Sequence, residues 1–292
     1  MPVAKVSVIL DFKFVYYCLY QAISDIVRGK KTVYGVNTGL GTELCSKVIP
    51  DDKIDELNIN TIRSHAIGVG EPLSHELTRC LMAFQINGFG LGYKAVSRGT
   101  VTKTLAALNA NCLPVIPTKG TVGCHDLAQL AHLALGLIGE GQMWSPRTGL
   151  GPADQVLAEN GLEKIILKHG EAIGMINGTN FSAVLAAEAL NTASRVVETA
   201  DVIAAMTIEG LVGTPAAFDA DIHQARPHSG QIKVARKVRS LLGNRHQKSE
   251  ITDSWPVSRV QDPYTLRCIP QVHGISHDVL KFCDRIITGE TK

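Results

Sequence analysis

The sequence predicts a mainly α-helical protein: a bundle of long helices with a loop-rich N-terminal part. Three observations carry this. Leu127, Leu130, Ala134, Leu137 and Ile138 recur at three- and four-residue steps, the period of one helix face. Thr179 to Leu211 runs without a Gly or Pro until Gly210 and is rich in alanine, which favours a long helix and close helix packing. Shorter amphipathic stretches, each preceded by a polar, Pro or Gly break, fill the first third of the chain.

In chain order, helices are expected over Asp51–Ser64, Ser74–Phe89 and Gly99–Ala110. A fourth begins at Asp126, a residue type suited to an N-cap, and ends near Gly139. Pro146, Gly149, Gly151 and Pro152 mark 139–168 as an irregular excursion between bundle helices. The long helix follows, with Val184, Ala187, Leu190, Val197, Val202 and Met206 among its apolar positions. A boundary is expected near Pro117, between an N-terminal region of loops and short helices, 1–117, and a partial helical bundle, 118–292.

Composition narrows the function classes. A chain of 292 residues buries a sizeable core. With 45% hydrophobic and 19% charged residues, it suggests apolar faces covered by other subunits. The net charge of +2, with no basic run interleaved with aromatics, gives no reason to expect a nucleic-acid partner. Seven cysteines without a Cys-x-x-Cys pair read as reduced thiols of a cytoplasmic protein. The apolar opening is interrupted by Asp11 and Lys13, so neither a leader nor a membrane span is expected.

Five segments carry chemistry. VYGVNTGLG, Val33 to Gly41, is a glycine-rich turn that presents Tyr34 and has no Lys-Ser/Thr pair for phosphate. RSHAIGVGEPL contains His65, and INGTN places Asn177 just before the long helix. In VQDPYTLRCIPQVHG, Tyr264 and Arg267 lie three apart, so one helical turn places both on a face, and the arginine fork suits a carboxylate. Taken singly, each has an ordinary structural use as a turn, a satisfied histidine or a surface ion pair. The fifth, KGTVGCHDLAQLAHLALGLIGEGQMWSP, runs from Lys119 to Pro146.

These segments, in their order along the chain from Val33 to Ile287, resemble the aromatic amino acid ammonia-lyase superfamily, and His65 with its neighbours resembles the histidine ammonia-lyase branch. The resemblance implies elimination of ammonia from L-histidine to give urocanate, in histidine catabolism, by a cytoplasmic tetramer. It implies no external cofactor and no metal, because the family cyclises an Ala-Ser-Gly tripeptide into its own electrophile, 4-methylideneimidazole-5-one.

Carried over residue by residue, Tyr34 and Tyr264 would act at the reacting centre, with Tyr264 in proton transfer. His65 would meet the substrate side chain, and Asn177 would donate to the electrophile or the substrate carboxylate. Gln261 would lie near the electrophile, and Arg267 would clamp the carboxylate.

The departures are equally specific. Cys124 and His125 stand where the family has Ala-Ser-Gly, so the electrophile position is degenerate and the ring is not expected to form. Past DRIITGETK, family members continue into an Asn-Ser-Ala-Thr-Asp-Asn-Pro segment and further bundle helices, so the chain reads as truncated at its C-terminus. Two functions remain open at this point: a histidine ammonia-lyase, or an inactive homologue that binds a histidine-like ligand or assembles with full-length lyase subunits. A new thiolate site built from Cys124 and His125 is the weaker reading, because neighbouring residues rarely orient their own side chains together.

Overall fold

The computed structural model describes residues 21–23, 25–26, 28–29, 31–41, 47–243, 249–251 and 259–290. The opening segment read above as neither leader nor span lies largely outside the described residues, as do Cys18 and Cys45. The expected mainly α-helical fold is found. The chain forms two compact units that divide within the long helix, 1–185 and 186–290.

In the first unit, a 3-10 turn at Asp51–Lys53 leads into α1 (Ile54–His65), followed by α2 (His75–Gly90) and α3 (Arg98–Asn109). The N-termini of α2 and α3 follow from capping chemistry: Ser74 accepts from the Leu77 amide and Ser97 from the Thr100 amide. Next comes α4 (Leu127–Leu137), in which Ala128, Gln129, Leu130, Ala131, Leu133, Ala134, Gly136 and Leu137 are all buried. A helix apolar nearly all round must be enclosed, and α4 packs against α1 and α6 (Glu171–Ile176) at the centre of the unit. Gly136 lets Pro114 press onto the helix, since a Cβ there would fall 2.8 Å from the proline Cβ.

The stretch 139–168 is more regular than its glycines and prolines suggest. Strands β4 (Gln142–Ser145) and β5 (Gly149–Pro152) form an antiparallel hairpin, with Trp144 opposite Leu150. The hairpin turns at Gly149, whose φ of +72° is in the region that favours glycine. Strand β2 (Leu113–Pro114) completes a three-stranded sheet in the order β2-β4-β5, and α5 (Ala153–Glu159) follows. Strands this short are held by a partner from before α4, so the local sequence did not mark them. A second pairing joins β1 (Val69–Pro72) to β3 (Pro117–Lys119). Pro117, where a boundary was placed, therefore sits inside the first unit, whose core takes Leu81, Phe89 and Leu108 from one side and Leu130, Leu133 and Phe181 from the other.

The long helix α7 (Asn180–Gly210) starts and ends within one residue of the expected span. Its later turns belong to the second unit, with α8 (Ala220–Gln224), α9 (Ser229–Leu241), α10 (Tyr264–Arg267) and α11 (Ile269–Gly289). A small core of Ala204, Ala205, Ile208, Phe218, Val234, Val238, Leu266 and Ile269 joins them. Helices α9 and α11 touch backbone to backbone at Gly230 and Gly274, where a Cβ on Gly230 would fall 2.0 Å from the Gly274 carbonyl oxygen.

Beside that crossing, the fully buried Asp201 carboxylate of α7 is held by His273 Nδ1 and His277 Nε2, both at 2.9 Å, and by Lys237 Nζ at 3.3 Å. Burial pulls its pKa up, yet the hydrogen bonds from His277, His273 and Lys237 outweigh this and hold it below the usual carboxylate range. A carboxyl with a folded pKa below its unfolded value contributes stability above the unfolded pKa, about 3.9, and loses it as pH falls through the folded one. The urea midpoint of the second unit is therefore expected to drop below about pH 4, and Asp201→Asn is expected to remove that part of the pH slope. Equal slopes for the two proteins would contradict the assignment.

Among the described residues, no helix is long and apolar enough to cross a membrane.

Candidate active site

The degenerate loop is a tight turn pinned at its end. Gly123 takes φ +85°, its amide donates to Thr121 Oγ1 at 3.1 Å, and Cys124 and His125 are exposed. The Thr121 hydroxyl also lies 3.2 Å from the His125 carbonyl and 2.5 Å from the Asp126 carboxylate.

Asp126 sits at the N-cap of α4, as its residue type implies, yet its carboxylate makes no capping bond to that helix. It accepts instead from the Ser182 amide and the Ser182 hydroxyl, both at 2.8 Å, and so caps the first turn of α7. The Asp126 amide donates to the Gly178 carbonyl at 2.9 Å. Loop and Asn177 turn are thus tied together on both sides of one buried residue. The sequence offered no signal for this, because the capped amide lies 56 residues further on.

The other first-unit candidates are each held by bonds to their own element or turn. Asn177 ends α6 and is exposed, with its amide donating to Ile173 O at 3.0 Å. His65 closes α1, and its Nδ1 lies 2.8 Å from the Thr61 carbonyl. Since a carbonyl only accepts, Nδ1 is the donor in this contact. Just beyond it, the Gly68 amide donates to His132 Nε2 of α4 at 3.1 Å. Burial lowers the His132 pKa, which keeps the ring neutral and able to accept. His132 is a positioning contact that the sequence reading missed.

Tyr34 is 54% exposed, and its hydroxyl accepts from the Gly41 amide at 3.2 Å, so the phenol folds back over its own turn. That turn is held by Asn37, whose side chain accepts from Val33 N at 2.9 Å and donates to Lys31 O at 3.0 Å. Gly35 seats it against Ile173 of α6, where a Cβ would fall 2.7 Å from the isoleucine Cδ1.

In the second unit, Gln261, Tyr264 and Arg267 form their own cluster. As the three-residue spacing predicts, Tyr264 and Arg267 share a face of α10, with the guanidinium 5.0 Å from the ring centroid. With its carboxamide oxygen turned toward the arginine, Gln261 accepts from Nη1 at 2.8 Å and Nη2 at 3.2 Å. Arg267 Nε is buried without a partner among the described residues. Asp262 anchors the segment, accepting from Thr214 N at 2.7 Å and Arg259 Nε at 3.2 Å.

Comparison with known proteins identifies the family. Residues 18–292 match the family model described as aromatic amino acid lyase. Over 272 residues the chain is 50% identical to histidine ammonia-lyase of Bos taurus, covering 92% of this chain and 41% of that protein. The crystal structure of histidine ammonia-lyase from Trypanosoma cruzi aligns with a TM-score of 0.86 at 38% identity, over 99% of this chain and 53% of that one. Tyrosine aminomutase from Streptomyces globisporus aligns with a TM-score of 0.86 at 30% identity, over 99% and 57%. The chain thus spans about two fifths of the length of the Bos taurus relative. With most of its length matched by the family model and its helices superposable on solved members, the chain belongs to the aromatic amino acid lyase family.

Proposed function

We propose that this chain is a histidine ammonia-lyase homologue that recognises L-histidine or a histidine-like amino acid, and that its own loop does not carry out the elimination to urocanate and ammonia. The observation that carries the reading is the loop itself. Closing the family's ring requires the amide of a third residue to attack the carbonyl of a first, with a β leaving group on the middle one.

If the window is Cys124-His125-Asp126, the attacking amide is that of Asp126, which is already bonded to Gly178 and fixed by a fully buried side chain, and the middle histidine has no β leaving group. If it is Gly123-Cys124-His125, the attacking nitrogen carries the bulk of the His125 side chain. The Thr121 hydroxyl then ties down both ends, the Gly123 amide and the His125 carbonyl. The residues present do not fit the prosthetic group. Residues that the family resemblance assigns to recognition are kept in each unit: Tyr34, His65 and Asn177 in the first, and Tyr264 and Arg267 with Gln261 in the second, the arginine fork suiting a carboxylate.

An oligomeric partner, a second copy or a full-length lyase subunit, belongs to the same reading. Val202, Ile203 and Met206 on α7 and Val272, Ile275, Val279 and Phe282 on α11 are large apolar side chains exposed on this chain. The scattered thiols support a reducing, cytoplasmic setting. The test is titration calorimetry of the full chain with L-histidine, alongside a urocanate absorbance assay. Saturable binding without urocanate is expected. Urocanate formation would overturn the loss of turnover, and absence of binding would overturn recognition.

A further inference from the structure

Helix α11 turns its apolar stripe away from its own unit. Val272, Ile275, Val279, Phe282 and Ile286 are each at least half exposed, and they follow one another at steps of three, four, three and four. That is the 3.5-residue period of a coiled-coil seam, with Val272, Val279 and Ile286 at a positions and Ile275 and Phe282 at d positions. The buried side carries Ile269 at its first residue and then Pro270, Gly274 and His277, which fall on the opposite face of the helix. Past its first turn, α11 is therefore more apolar toward solvent than toward its core.

A regular seam of this period fits another helix, whose side chains offer holes at the same spacing. The residues beside it say which helix. Asp278 and Arg285 stand at successive g positions, and g positions choose the partner and its direction by charge. In an antiparallel pair of α11 helices, related by a two-fold axis between residues 280 and 281, Asp278 faces the partner's Arg285, and the axis repeats the pair. The same axis sets Val279 against the partner's Phe282 and Ile275 against the partner's Ile286, so each central layer joins a small side chain to a large one. Both charges are ready for this. Asp278 is fixed from its own unit by the Ser229 hydroxyl and the Gly230 amide. The Arg285 guanidinium lies 5.4 Å from the Phe282 ring centroid, and among the described residues no carboxylate stands within ion-pair distance of it.

We propose that α11 pairs with α11 of a second copy of this chain as a two-stranded antiparallel coiled coil. The proposal rests on the oligomeric part of the reading above, and names its partner, its element and its direction. It is independent of the state of the Cys124-His125 loop and of histidine binding.

The test is sedimentation velocity of the full chain at micromolar concentration. The wild-type chain is expected at twice its own mass or above. Val279→Lys and Phe282→Glu each bury an unpaired charge in the seam, and each should raise the dissociation constant at least about hundredfold. Both positions face solvent in the single chain, so helix content read by circular dichroism should be unchanged. Mixed in equal amounts, the two variants are expected to regain the dimer, because antiparallel order sets the introduced ammonium against the introduced carboxylate and leaves Phe282 on Val279 in the other central layer. Parallel order would bring no such pair together. A monomeric wild-type chain would overturn the proposal together with the second-copy reading. A dimer that tolerates Val279→Lys, or variants that stay apart on mixing, would overturn the proposal alone.

Discussion

Gly274→Ala is expected to destabilise the second unit by about 3 kcal/mol, the upper range for forcing extra volume into a packed contact. The sign makes the test informative. Glycine inside a helix is ordinarily weaker than alanine by about 1 kcal/mol, so the same change on an open face of α11 would stabilise it. Here a Cβ would fall 2.5 Å from the Gln231 amide nitrogen and 2.7 Å from the Gln231 Cα. Backbone does not swing aside as a side chain does, so α9 and α11 must separate. Separation also breaks the bonds by which Asp278 of α11 accepts from the Ser229 hydroxyl at 2.6 Å and the Gly230 amide at 3.1 Å at the start of α9. Urea denaturation of the variant, followed by a signal from the second unit, measures the effect. A neutral or stabilising outcome would show that the helices do not cross at these glycines.

Asp126→Ala is expected to be comparably damaging to the first unit, by about 3 kcal/mol, because it removes a charged acceptor and leaves several donors unpaired. The carboxylate serves the Ser182 amide, the Ser182 hydroxyl and the Thr121 hydroxyl, and it is fully buried. Its negative charge also lies at the N-terminus of a 31-residue helix, where the helix dipole favours it. Asp126→Asn, which keeps one oxygen, should lose less. Hydrogen exchange at the Ser182 amide separates this account from a general loss of packing, since that amide should lose protection in both variants. A loss below about 1 kcal/mol for the alanine variant would mean that the loop and the long helix are not coupled through Asp126.

What could be read in the sequence was what is local. The ends of α7 were legible because alanine-rich helical spacing continues until glycines interrupt it near Gly210. The one-face placement of Tyr264 and Arg267 followed from a spacing of three, and the structure adds the ring contact. Long-range pairings were illegible. Strands β2, β4 and β5 are two to four residues long and are held by each other across α4, so no local period announced them. Asp126 has the residue type of an N-cap and stands at one, but its carboxylate serves a different helix. Gly274 stood in a recognisable motif, while its reason for being glycine lies in Gly230 on another helix.

The central claim, that the Thr121–Asp126 loop remains an ordinary peptide, is tested most directly by the intact mass of the purified chain with peptide mapping across residues 121–127. The account predicts the unmodified mass and an intact Gly123-Cys124-His125 peptide. A mass lowered by loss of water and hydrogen sulfide within that tripeptide would contradict it.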